Sequence, residues 1–152
     1  MDKRTARREH RDDFRAAIRR WRSRPPASSF VDDFDDKREG RPIRVFVRKR
    51  PIFPHELRQS EFDVITAPRN GRSIVVHDAR MAMDMRHMRM SHNTFDFDAV
   101  FGEKVDSAAV YDGAVAPLVA SALRGGYTTA MMYGQTGSGK TYTMSSIYRL
   151  SS

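Results

Sequence analysis

Gly134, Gln135, Thr136, Gly137, Ser138, Gly139, Lys140 and Thr141 follow the spacing G-x-x-x-x-G-K-[ST] of a phosphate-binding loop. Each residue type suits that chemistry. The glycines permit backbone with positive φ, so that successive N–H groups turn inward around an anion without side chains obstructing them. Lys140 brings a mobile positive charge to the outer phosphates of a nucleotide, and Thr141 offers a hydroxyl to Mg²⁺. The start of a following helix adds its partial positive end. The loop binds phosphate; nothing in it breaks a bond, so no catalytic residue is assigned.

Such a loop must be held between a strand and a helix. Thr128 to Tyr133 reads as a short apolar strand leading in, and Tyr142 to Leu150 as a helix leading out. Upstream, Ile43, Val45 and Val47 alternate with Arg44, Phe46 and Arg48 in a strand that Pro51 stops. A hairpin is expected through Asp63 to Thr66 and Ser73 to Val76, with Asn70-Gly71 as its turn. Phe95 and Phe97 alternate with Asp96 and Asp98 in a further strand. Asp106-Ser107 then opens a helix carrying Val110, Tyr111, Ala114, Val115, Leu118 and Ala122 on one face; Pro117 kinks it and Gly125-Gly126 ends it. The expected class is α/β.

The 152 residues are 30% charged with a mean hydropathy of −0.63, which suggests a packed segment with an appended arm. The absence of cysteine excludes disulfides and thiolate metal sites and fits an intracellular setting. No apolar run is long enough to span a membrane and no signal-peptide pattern occurs, so a soluble cytosolic or cytoskeletal protein is expected. His87 and His92 have no acidic or cysteine cluster at metal spacing and read as surface residues. Met81, Met83, Met85, Met88 and Met90 concentrate in one stretch, a flexible apolar surface open to packing or to a partner.

Charge is concentrated at one end. Residues 1 to 24 hold ten Lys and Arg against four acidic residues, +6 of the chain's +8. An arm of this kind suits an acidic partner: a nucleic acid, an anionic membrane or an acidic protein tail. Phe14, Ala17, Ile18 and Trp21 fall at helical spacing, so it reads as an amphipathic helix, and its apolar stripe could equally pack on its own domain. Residues 25 to 40 read as a linker, with an acidic run at Asp32, Asp33, Asp35 and Asp36, and the folded part as residues 41 to 152.

Three segments together resemble the N-terminal portion of a kinesin motor domain: Val47-Arg48-Lys49-Arg50-Pro51, Phe95-Asp96-Phe97-Asp98-Ala99-Val100-Phe101, and Tyr133 through Met144 around the phosphate loop. The resemblance spans roughly residues 41 to 144. It is most similar to the internal-motor kinesins that depolymerise microtubules, through Arg48-Lys49-Arg50-Pro51, Glu56-Leu57, Asp63-Val64-Ile65 and Val76-His77-Asp78, and through the basic segment ahead of the motor. That group's Lys-Val-Asp triplet at the tip of its long loop is replaced by Ala82-Met83-Asp84, which keeps only the aspartate.

The resemblance implies an α/β phosphate-loop NTPase motor fold preceded by a basic helical arm, with ATP and Mg²⁺ as cofactors, microtubules as partner, and a place in the cytoplasm and cytoskeleton. It puts Arg48, Arg50 and Pro51 beside the adenine and ribose, joined by Tyr142; surface charge at a strand end is the alternative for the two arginines. The family's switch patterns, N-x-x-S-S-R and D-x-x-G-x-E, do not occur in these residues. The chain is therefore expected to be part of a motor domain, weak in nucleotide binding and not hydrolytic alone. A non-catalytic protein using its arm on acidic tubulin tails or another polyanion is the alternative, with nucleic acid the less favoured partner and membrane not expected. An unrelated phosphate-loop kinase or GTPase is disfavoured by the R-x-R-P turn.

Overall fold

The computed structural model describes residues 3–25, 42–68, 71–84 and 86–151. Residues 26 to 40 of the expected linker, with the acidic run, fall outside them, as do Asn70 and Met85. The chain divides into two compact units, Met1–Val100 and Phe101–Ser152.

The first unit begins with two helices, α1 (Lys3–Glu9) and α2 (Arg11–Ser23). Strand β1 (Phe46–Arg48), the short helix α3 (Pro54–Arg58) and strand β2 (Ile65–Thr66) follow. Strands β3 (Ser73–Met81) and β4 (Met88–Asp96) form a long hairpin, and β5 (Ala99–Phe101) closes the series. A three-stranded sheet runs β2-β3-β4, antiparallel throughout, with Ile65 opposite Val76 and His77 opposite His92; β1 pairs with β5.

The core of this unit lies between the helices and that sheet. Along β3, Ser73, Val75, His77, Ala79 and Met81 alternate onto one buried face, the period of two that a half-covered strand requires. Phe14 and Ile18, one helical turn apart on α2, are both about 1% exposed and join Ala6, Phe62, Ala79 and Met81 in a single cluster. The rings of Phe14 and Phe62 stack at 6.0 Å. Burying side chains of this size contributes about 1.5–3 kcal/mol each. The apolar stripe of the basic segment thus packs on its own sheet.

The second unit holds α4 (Ser107–Ala114), α5 (Ala116–Leu123) and α6 (Lys140–Ser151). Asp106 caps α4, its carboxylate accepting from Ala109 N at 2.8 Å. The helix breaks at Val115, because Pro117 in the first turn of α5 has no N–H to continue the ladder. The C-terminus of α5 closes with paired reverse bonds, Gly125 N to Ala122 O and Gly126 N to Ser121 O, with Gly125 at φ +86°. Buried Val110 and Ile147 lie on α4 and α6, which pack together.

Three expectations need correction. Thr128 to Tyr133 does not form a strand: a strand exists through its ladder, and no described residue pairs with this segment, which leaves Met131 and Tyr133 exposed. The strand expected from Ile43 is short, because Ile43 and Val45 are exposed and only Phe46–Arg48 pairs. Phe95 does not head a strand of its own with Phe97. It belongs to β4, which runs on to Asp96, and the methionine-rich stretch contributes Met81 to β3 and Met88 and Met90 to β4. Asp84 folds the tip of that hairpin: its carboxylate accepts from Arg86 N at 3.0 Å and His87 N at 3.1 Å and meets His87 Nδ1, which holds it at about 2, well below an ordinary carboxyl.

Candidate nucleotide-binding site

The loop of residues 134 to 139 leads directly into α6, and its backbone takes the form that glycine allows. Gly134, Gly137 and Gly139 have φ of +152°, +81° and +95°. A Cβ on Gly134 would stand 2.6 Å from Ser138 Oγ, whereas one on Gly137 or Gly139 would meet nothing within 4 Å. The curl is tied by Ser138 N donating to Gln135 O at 3.1 Å, and the first turn of the helix by Thr143 N donating to Gly139 O at 3.0 Å. Gln135, Thr136 and Ser138 are exposed along the rim.

Lys140 is the first residue of α6 and reaches back over the loop. Its Nζ donates to Gly134 O at 2.7 Å and to Gln135 O at 2.9 Å. Two of the three ammonium donors are thereby used, and the charge is drawn to the loop's own carbonyls. Thr141 follows on the exposed first turn, and Tyr142 is also exposed. The helix start gathers N–H groups that have no partner within the helix. Positive-φ glycines, a lysine folded over them and a helix start with a hydroxyl make a donor set that fits a polyphosphate. No group of three or more His, Cys, Asp or Glu that could hold a metal exists among the described residues, so the hydroxyl of Thr141 is the protein group suited to Mg²⁺, with phosphate oxygens as its other ligands.

Three of the predicted base-side residues, Arg48, Arg50 and Pro51, lie in the first unit, where β1 ends. Arg48 is half-buried at the strand's last position and Pro51 is exposed. Arg50 is fastened in place. Its Nη1 and Nη2 donate to the two oxygens of Glu56 at 2.8 and 2.5 Å, Nη1 also reaches Pro51 O at 3.1 Å, and its guanidinium carbon lies 4.7 Å from the centroid of the Phe53 ring. Glu56 in turn accepts from Phe53 N at 2.8 Å, capping α3 from within its first turn. Arg50 and the Phe53 amide hold the Glu56 carboxyl down at about 2. Arg50 therefore presents a plane, with its donors directed at Glu56.

Lys49, between the two arginines, donates to Asp63 at 2.8 Å, and Arg22 of α2 reaches the same oxygen at 3.0 Å. Burial pushes the Asp63 carboxyl up, but Lys49, the Ile65 amide and Arg22 together leave it below its ordinary value. That the basic segment and this turn share a carboxylate is not legible along the chain, because the partners stand 41 and 14 positions from Asp63.

His77 and His92 were also hidden by their spacing. Their Nδ1 atoms lie 2.7 Å apart, and Trp21 packs against both rings. His92 is exposed, as expected of a surface residue, and makes this contact as well.

A family model described as the kinesin motor domain matches residues 48–150. The chain is 43% identical over 102 residues to the kinesin-like protein KIF24 of Mus musculus and 42% identical over 102 residues to that of Homo sapiens. Each match covers 67% of this chain, which spans only 7% of the length of these relatives. Among solved structures, that of a fast kinesin is similar with a TM-score of 0.55 and 29% identity, covering 66% of this chain and 25% of the other.

Proposed function

The chain belongs to the kinesin motor domain family, and from that premise we propose that it binds Mg·ATP through residues 134 to 141, as the nucleotide-binding portion of a microtubule motor or depolymerase. The observation that carries the reading is the fold of the loop: three glycines at positive φ, with the ammonium of Lys140 drawn across them at the start of a twelve-residue helix. Backbone N–H groups of residues 134 to 139 hold phosphate oxygens, Lys140 neutralises the β- and γ-phosphates, and Thr141 holds Mg²⁺. When bound, the nucleotide supplies the phosphoanhydride whose cleavage drives a motor. The residues described here bind and orient it.

On the base side, Arg48, Pro51, Tyr142 and the plane of Arg50 flank the purine by stacking. Three donors of Arg50 are used on Glu56 and Pro51, which fixes the plane of its guanidinium.

Microtubules are the proposed partner, and the cytoskeleton the proposed location. The fast kinesin to which the chain is similar is described for its ATPase mechanism and its interactions with microtubules. No helix among the described residues is long and apolar enough to cross a membrane. We further propose residues 1–24 as a basic helical segment and residues 25–40 as its connection to the motor portion, residues 41–152.

Calorimetry of Mg·ATP with the 152-residue chain tests the reading. Saturable binding that Lys140→Ala reduces at least tenfold is the expected result, since a hydrogen bond to a charged group contributes about 1.5–3 kcal/mol. Unchanged affinity in the variant overturns the assignment of the loop.

A further inference from the structure

The contact between α2 and the β3–β4 hairpin has a feature that packing alone does not require. Four polar side chains form one line of hydrogen bonds: Arg22 Nε to Thr66 Oγ1 at 2.7 Å, Thr66 Oγ1 to His77 Nε2 at 2.7 Å, and His77 Nδ1 to His92 Nδ1 at 2.7 Å. They come from α2, β2, β3 and β4 in turn. All partners are satisfied when Arg22 donates to the threonine, the threonine hydroxyl to His77 Nε2, and His77 Nδ1–H to His92 Nδ1. Trp21, next to Arg22, covers the end of the line, its ring stacked on His92 at 5.2 Å and edge-on to His77 at 4.9 Å.

The line is complete with both imidazoles neutral. The contact between the two Nδ1 atoms has room for one proton, so a proton added at His92 obliges His77 to present Nε2–H to Thr66 and leaves the pair cationic beside Arg22 and Lys49. Among the described residues no spare counter-charge stands beside the pair. Around His77 stand Arg22 of α2, His92 of β4, and Lys49 and Asp63 of the loops, and Asp63 is already bonded to both Arg22 and Lys49. The cavity that His77 lines also holds Arg7 and Arg8 of α1, Glu61, and Asp78 and Arg80 of β3. There Glu61 is paired with Arg8 and Asp78 with Arg80. His77 is 1% exposed, so water cannot replace the missing anion.

We propose that His77 and His92, with Thr66, Arg22 and Trp21, form an acid-sensitive latch that holds the C-terminal turn of the basic helix α2 on the sheet and releases that turn, with Phe14 and Ile18 still packed, when the pair takes up a further proton. The direction agrees with the surroundings: burial, then His92 and Arg22, push His77 down to about 4, and burial pushes His92 below its ordinary value. A histidine depressed in the docked state binds more protons once released. Docking is therefore complete above about pH 6.5 and is lost progressively as pH falls toward 4.

Trp21 is the chain's single tryptophan, so its fluorescence reports this contact without a label. The experiment follows Trp21 emission and its quenching by acrylamide from pH 7.5 to 4, with far-UV circular dichroism in parallel, for the unaltered chain, His77→Gln and His92→Gln. The expected result is a rise in Trp21 accessibility with a midpoint between about pH 4 and 6.5, with helical signal retained, and a shallower transition in His92→Gln, which has one titrating imidazole fewer in the line. His92 is exposed, so this variant keeps the hairpin even where His77→Gln fails to fold. A flat Trp21 signal, the same transition in His92→Gln, or loss of helicity at the same midpoint overturns the proposal.

Discussion

The lysine of the phosphate loop and the glutamate of the base-side turn illustrate two uses of a charged side chain. Lys140 is drawn onto two neutral backbone carbonyls, whereas Arg50 and Glu56 satisfy each other in a charged two-point pair. Glu56→Gln is expected to lower stability and to flatten its pH dependence. The sign follows from a folded-state value of about 2: the pair contributes fully above about pH 4.5 and loses its contribution as pH falls toward 2. Urea denaturation at several pH values measures both effects. Gly137→Ala is expected to weaken Mg·ATP binding without a steric clash, because the added Cβ meets open space while φ of +81° costs an L-residue about 1–2 kcal/mol. Calorimetry on the variant decides it, and affinity equal to that of the unaltered chain would remove the conformational argument for that glycine.

Among the elements, α2 is held by its apolar stripe more than by its charge. Phe14→Ala is expected to cost about 3–5 kcal/mol, the range for a large aromatic removed from a core, measurable as a lower urea midpoint of Trp21 fluorescence. What could be read from sequence at this scale was whatever depends on neighbours in the chain. The phosphate loop, the Asp106 cap, the break at Pro117, the glycine stop after α5 and the helix after the loop all rest on local chemistry, and all were legible. What depends on distant pairing was not. Thr128 to Tyr133 has strand composition without a ladder, and the β3–β4 hairpin has methionines and histidines where alternation was hard to see. The Asp63, Glu56 and His77 networks join residues that only the fold brings together. The candidate site divides along the same line: its phosphate half was written in consecutive residues, while the immobilisation of Arg50 was not.

For the whole molecule, the uneven charge sets the behaviour toward partners. The apolar face of α2 is used on the sheet while Arg15, Arg19 and Arg20 remain exposed, so binding to an acidic surface would be electrostatic. Co-sedimentation with microtubules is expected to fall steeply as ionic strength rises from about 0.05 to 0.15 M, where screening shortens to about 8 Å. Persistence of binding at high salt would point to an apolar interface instead. The hairpin tip carries one more implication for such contacts. Asp84 shapes the turn through backbone amides, and Ala82 bonds through its own N–H to His87 O, so the side chains of Ala82 and Met83 take no part in building it. The tip is a socket whose contents can be exchanged: replacing these two residues with lysine and valine would change what it offers a partner while leaving the turn that offers it intact.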